Sequence, residues 1–242
     1  MPDASSRVLV ALDTPDVDKA RCLAGQLRGR VGAIKLGLEF FNAAGPQGVH
    51  AVTAPDGGAP VPFFLDLKFH DIPNTVAGAV RSVTPLAPMI LNVHAAGGAA
   101  MMTAARQAAH QTAASLGIAP PLVIAVTVLT SLDESDLAAL GQDSDAQAQV
   151  LRLARLTQEC GLDGVVCSPH EIAAIRKACG PDFKLIVPGI RPAGAELGDQ
   201  KRVMTPRQAV DAGADWIVIG RPITGAADPA AAASAIAGEL AQ

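Results

Sequence analysis

The chain has no tyrosine, one tryptophan and six phenylalanines, so it offers little on which nucleic-acid bases could stack. It also lacks a basic excess. Nineteen Lys and Arg stand against 23 Asp and Glu, a formal net charge of −4, and no basic stripe offsets that balance, so no nucleic-acid partner is expected. Long hydrophobic runs are missing. Stretches such as 122–129 fall far short of the ~20 apolar residues that a bilayer-crossing helix needs. The start, Met1-Pro2-Asp3-Ala4-Ser5-Ser6-Arg7, carries no apolar signal region. The expectation is a cytoplasmic protein with no membrane partner. The four cysteines, Cys22, Cys160, Cys167 and Cys179, show no Cys-x-x-Cys spacing, which points to free, mostly buried thiols rather than a metal site.

What the chain does have is aliphatic sequence in short, regular pieces. Half of its 242 residues are hydrophobic, enough for a full core in one domain. Apolar runs recur at 8–12, 33–36, 62–67, 89–93, 122–128, 164–167, 184–187 and 216–219. They are rich in Val, Ile and Leu and hardly alternate, which marks strands buried on both faces. Helix-start signals stand between them at Thr14-Pro15-Asp16, Ile72-Pro73-Asn74, Ser168-Pro169-His170-Glu171 and Thr205-Pro206. Gly161, Gly180 and Gly213 sit where helices would stop. Eight strand–helix units in this length predict a (β/α)8 TIM barrel of one domain spanning 1–242. An open doubly wound sheet fits less well, since no Gly-x-Gly-x-x-Gly follows the first strand.

In this fold the active site lies at the C-terminal ends of the strands. The polar residues predicted there are Asp13, Lys35, Asp66, Lys68, Asn92, His94, Thr127 and Thr130, with Gly189-Ile190-Arg191 after strand seven and Gly220-Arg221 after strand eight. Loops after the last two strands are the usual phosphate cradle of such barrels. Glycine allows close backbone approach and arginine supplies forked donors for phosphate oxygens. The polar stretch 191–202 is long for a barrel loop and suits a lid. At the other end, Lys35, Asp66, Lys68 and Asp71 alternate in sign. A carboxylate beside each lysine favours the ammonium form and argues against an imine-forming lysine. The chemistry predicted is protonation at carbon after loss of CO2, on a phosphorylated substrate. His70 and His94 are weaker candidates, with His70 read as a residue that holds its loop.

The segment Asp66-Leu67-Lys68-Phe69-His70-Asp71-Ile72-Pro73-Asn74-Thr75 resembles the signature of the orotidine 5′-phosphate decarboxylases. The likeness extends through Val10-Ala11-Leu12-Asp13, Ile34-Lys35-Leu36-Gly37, Asn92-Val93-His94-Ala95, 125–131, 187–192, Gly198-Asp199-Gln200 and Ile219-Gly220-Arg221-Pro222. The resemblance implies cofactor-independent and metal-independent decarboxylation of orotidine 5′-monophosphate to uridine 5′-monophosphate in pyrimidine biosynthesis. It implies Lys68 as proton donor to C6, Asp66 beside the leaving carboxylate, and Lys35 and Asp71 completing the charged array. It further implies a homodimer in which Asp71, Ile72 and Thr75 reach into the partner's site. Asp13 and Lys35 would bind the ribose hydroxyls and Thr130 the pyrimidine end. Arg191, Gln200, Gly220 and Arg221 would hold the phosphate. Two rivals are a metal-dependent sugar-phosphate decarboxylase of the same barrel superfamily and a non-catalytic nucleotide-binding barrel.

Overall fold

Eight strands pair in parallel, each with the next and the last with the first, closing a barrel. They are β1 (Val8–Ala11), β2 (Ala33–Gly37), β3 (Phe63–Phe69), β4 (Ile90–His94), β5 (Leu122–Val126), β6 (Gly164–Val166), β7 (Lys184–Val187) and β8 (Trp216–Ile219). The computed structural model describes residues 4–54, 59–142, 145–192 and 204–241. Within these, a helix follows every strand; between β7 and α8, residues 193–203 lie outside the described residues. The chain is a (β/α)8 TIM barrel, as its aliphatic runs predict.

The helices are α1 (Val17–Leu27), α2 (Leu38–Thr53), α3 (Pro73–Val83), α4 (Gly98–Leu116), α5 (Glu134–Ala139), α6 (Ala146–Glu159), α7 (Ile172–Cys179), α8 (Pro206–Asp211), α9 (Arg221–Thr224) and α10 (Pro229–Ala241). Among the described residues, two units carry an extra helix: α5 and α6 both lie between β5 and β6, and α9 and α10 both follow β8. The start signals act by ordinary capping. Asp16 accepts from the amides of Asp18 and Lys19 at 2.9 and 3.0 Å, Pro73 opens α3 where no amide donor is needed, and Thr205 caps α8. α2 is kinked at Gly45 (φ 60°, ψ −167°) ahead of Pro46. That left-handed turn suits glycine and spares the proline a place inside an unbroken helix.

Two apolar layers hold the barrel. The interior is filled by Leu9, Ala33, Phe64, Ile90, Ile124 and Ile186, with Val166, Trp216 and Val218 packed against them. Every strand contributes, so the centre is a packed plug rather than a channel. Outward-facing residues such as Val10, Ile34, Leu65, Leu91 and Ile217 pack under the helices. Among the described residues no helix is long and apolar enough to cross a membrane. The four cysteines are free; Cys167 and Cys179 are buried, whereas Cys22 is exposed, contrary to the expectation of mostly buried thiols.

Candidate active site at the mouth of the barrel

Side chains two apart on a strand share a face, and that rule builds the site. Ala33, Phe64 and Ile90 belong to the barrel plug. Two residues further on come Lys35, Asp66 and Asn92, which therefore form the next layer toward the C-terminal mouth, followed by Lys68 and His94. Apolar filling gives way to polar groups within one step along β2, β3 and β4.

These groups form a continuous ionic chain. Lys35 Nζ lies 2.7 Å from Asp13 Oδ1 and 3.7 Å from Asp66 Oδ2. Lys68 Nζ donates to Asp66 Oδ1 at 2.6 Å. Asp13 stands at the rim with its side chain 62 % exposed, whereas that of Asp66 is 13 % exposed. Burial pushes the Asp66 carboxyl up, but the Lys35 and Lys68 ammonium groups and hydrogen bonds from Lys68 and Asn92 outweigh it, so its pKa lies below the ordinary carboxylate value.

Lys68 is also where β3 departs from regular pairing. Leu65 pairs with Leu91 and Phe69 with Val93, so the register shifts between them, and Lys68 has φ 49°. A non-glycine residue in that region costs about 1–3 kcal/mol and persists only when its surroundings hold it. Asn92 does so: its Oδ1 accepts the Lys68 amide at 2.8 Å while its Nδ2 donates to Asp66 Oδ1 at 2.7 Å.

Two adjoining cavities share Asp66, Pro188 and Val218 as a common wall. The larger, about 450 Å³, is lined by Asp13, Lys35, Gly189, Arg191, Gly220 and Arg221 among others. The smaller, about 170 Å³, is mostly apolar, lined by Phe64, Val126, Val128, Leu129, Val166 and Cys167 together with Asp66, Lys68 and Thr130. Gly189 has φ 78°, a turn glycine adopts without strain. Beyond it, Ile190 bridges to Met204, and the Arg191 amide donates to the Met204 carbonyl at 3.0 Å. One end of the mouth thus presents two arginines and glycine backbone, suited to an anion. The other presents an ion-paired ammonium in a largely apolar slot.

Most sequence-predicted groups meet here, with some exceptions. Asp71 is exposed, its Oδ1 accepts from the Ile72 amide at 2.6 Å, and it does not join Lys35, Asp66 and Lys68 within the chain. Ile72 and Thr75 are exposed beside it at the start of α3. Thr127, expected at the opening, instead donates its hydroxyl to the Val166 carbonyl at 3.1 Å and lines neither cavity; β5 ends there, shorter than its apolar run. Gln200 and most of the lid stretch lie outside the described residues. His70 and His94 pair with ring centroids 5.4 Å apart. Burial, then the neighbouring His70 and Lys68 charges, lower the His94 pKa against a smaller opposite pull from Asp66, which favours neutral imidazole beside the array. Sequence reasoning missed the bridging role of Asn92 and the Cys167 wall. The two-residue spacing from Ile90 places Asn92 at the mouth, but its partners depend on a shifted register.

A sequence model described as orotidine 5′-phosphate decarboxylase / HUMPS family matches residues 6–236. A Rhodospirillum rubrum protein described as orotidine 5′-phosphate decarboxylase is 59% identical over 233 residues, covering 96% of this chain and 93% of its own. One so described from Paramagnetospirillum magneticum is 56% identical, covering 96% and 97%. Among solved structures, the orotidine 5′-phosphate decarboxylase of Lactobacillus acidophilus is similar with a TM-score of 0.83 and 35% identity, covering 97% of this chain and 99% of that one.

Proposed function

The chain belongs to the orotidine 5′-phosphate decarboxylase / HUMPS family, and on that premise we propose that it converts orotidine 5′-monophosphate to uridine 5′-monophosphate and CO2 without a cofactor, in the cytoplasm, as a step of pyrimidine biosynthesis. The observation that carries this reading is the Lys68 ammonium in the apolar slot, 2.6 Å from Asp66, the carboxylate that the slot shares with the arginine-lined cavity.

The substrate phosphate binds at Arg191, Gly220 and Arg221, with Gln200 added from the lid. Asp13 and Lys35 take the ribose hydroxyls, and the pyrimidine enters the apolar slot with Thr130 at its far end. Its carboxylate then meets Asp66. The C6–CO2 bond breaks with the electron pair left on C6, and Lys68 gives that carbon its proton, to be reprotonated from water. The developing carbanion has no adjacent electron sink. Enzymes lower barriers by about 8–23 kcal/mol, and fixed charges aimed at a developing anion in a water-poor site supply a large share. Phosphate binding remote from C6 contributes by holding the base in place.

The site is completed by a second copy. Ile72 is 67% and Leu38 50% exposed, and each follows the end of a strand at the mouth. A homodimer covers them and brings the partner's Asp71, Ile72 and Thr75 to the mouth, closing the array that one chain leaves open.

The family description joins the decarboxylases with a second group, so the metal-dependent sugar-phosphate rival is the second reading. The names of the relatives sharing 59% and 56% of residues favour the pyrimidine enzyme. Among the described residues, no group of three or more His, Cys, Asp or Glu is placed to hold a metal ion. The test is loss of orotidine 5′-monophosphate absorbance with purified protein in excess EDTA. Conversion to uridine 5′-monophosphate at an undiminished rate is expected. No conversion, with a magnesium-dependent reaction on a sugar phosphate instead, would transfer the assignment to the rival.

A further inference from the structure

We infer that Asn92 is a positioning residue of this site: its side-chain amide clamps the Asp66 carboxylate to the Lys68 main chain and so fixes where Lys68 Nζ stands. The inference rests on the decarboxylase reading above and adds to it a group that touches no substrate atom.

Asn92 is fully buried on β4. Its Oδ1 accepts the Lys68 amide at 2.8 Å, its Nδ2 donates to Asp66 Oδ1 at 2.7 Å, and the same Oδ1 of Asp66 accepts from Lys68 Nζ at 2.6 Å. The result is a closed ring: Lys68 main chain, Asn92 amide, Asp66 carboxylate, Lys68 ammonium. The amide orientation follows from its partners, since an N–H needs an acceptor and a carboxylate needs a donor. The ring spans the place where β3 and β4 lose register, between the Leu65–Leu91 and Phe69–Val93 pairs. There the ladder supplies no main-chain acceptor to Lys68, and its φ of 49° turns the side chain away from a regular strand path.

Few residue types can serve. Leucine has the volume and neither bond. An ionised aspartate would accept from Lys68 but face Asp66 with a second negative charge. Serine is too short to span both partners, and glutamine carries one methylene too many for a buried position. A buried asparagine that merely satisfies core groups would stabilise the fold and leave the chemistry alone, so the test must read chemistry and stability apart.

The experiment compares wild type, Asn92→Leu and Asn92→Ser for kcat, KM, the kcat–pH profile, uridine 5′-monophosphate affinity and Tm. The expected result is a fall in kcat of about 10²-fold, the scale of a misplacement near 1 Å. KM and nucleotide affinity stay within about 3-fold, because phosphate and ribose contacts lie elsewhere. The acid limb of kcat moves to higher pH, since Asp66 has lost a donor. A folded variant with kcat within about 3-fold of wild type and an unmoved acid limb overturns the inference. So does parallel loss of nucleotide binding and Tm, or failure of both variants to fold, each of which assigns Asn92 to the core. If only the leucine variant fails to fold, the serine variant decides by the same readings. A wild type that does not decarboxylate the nucleotide overturns the function first and this inference with it.

Discussion

At Asp66, burial opposes ionisation while two ammonium groups and two hydrogen bonds favour it, and the net effect is a carboxyl below its ordinary pKa. The consequence for stability has a definite sign. Between the native and unfolded values the unfolded chain holds a proton that native Asp66 does not, so stability rises with pH across that window. The contribution is complete above the unfolded value and lost as pH falls through the native one. Urea unfolding of wild type should therefore weaken below about pH 4, with a steeper pH dependence there than in Asp66→Asn; equal slopes would remove Asp66 as a source of acid sensitivity. The same residue holds Lys68, whose left-handed backbone stores strain where the chemistry is proposed. Cys167 has another character. Burial raises its thiol well above the ordinary value, the Glu171 charge adds to that, and Arg176 opposes it, so it serves as an inert wall of the apolar slot.

Strands β5 to β8 are held at their N-terminal ends by a repeated device. Asp163, just before β6, accepts from the Val123 amide at 2.7 Å, and Asp215, just before β8, accepts from the Leu185 amide at 2.9 Å. Arg176 on α7 extends the second staple, donating to the carbonyls of Gly180, Pro181, Phe183 and Gly213 and to Asp215 Oδ2 at 2.7 Å. Replacing Arg176 by methionine leaves those acceptors short of a donor. A loss of roughly 2–3 kcal/mol is expected, read as a Tm drop of roughly 5–10 °C, with kcat unchanged because the staple lies at the far end of the barrel from the mouth. A thermal scan with no shift would show these bonds to be replaceable by water. The strands themselves were legible because aliphatic runs between helix signals need no partner to be recognised; β7 and β8 fall on their runs. Strand ends were less so. β3 continues through Lys68 to Phe69 because Asn92 on a neighbouring strand replaces the missing ladder bond, and nothing local in 66–69 announces that. Gly164 is likewise required by its neighbour, since a Cβ there would lie 2.1 Å from the Lys184 carbonyl oxygen. Lys35, Asp66 and the glycine–arginine pairs were legible because strand ends converge in any closed barrel.

On the scale of the whole molecule, the mouth reads as an incomplete surface. Leu38 and Ile72 stand exposed there, and Asp71 carries a carboxylate outside the ionic chain that its sequence neighbours form. The proposed homodimer, a two-fold pairing of mouths, would cover those apolar side chains and deliver each Asp71 to the other copy's Lys68. The sequence spacing put Asp71 in the array, whereas within one chain its carboxylate turns to the Ile72 amide; its place in the array rests on the proposed pairing of two chains. Sharing also makes the account testable in one measurement: orotidine 5′-monophosphate turnover by Lys68→Ala and Asp71→Asn, each alone and then mixed with subunit exchange. Alone, Lys68→Ala should lose at least about 10³-fold in kcat and Asp71→Asn about 10²-fold, with uridine 5′-monophosphate still bound by both. In a mixed dimer both defects fall on one site and the other is intact, so an equimolar mixture should recover about one quarter of wild-type activity. Near-normal turnover by Lys68→Ala would contradict its place as the proton donor, and a mixture as inactive as its parts would contradict the shared site.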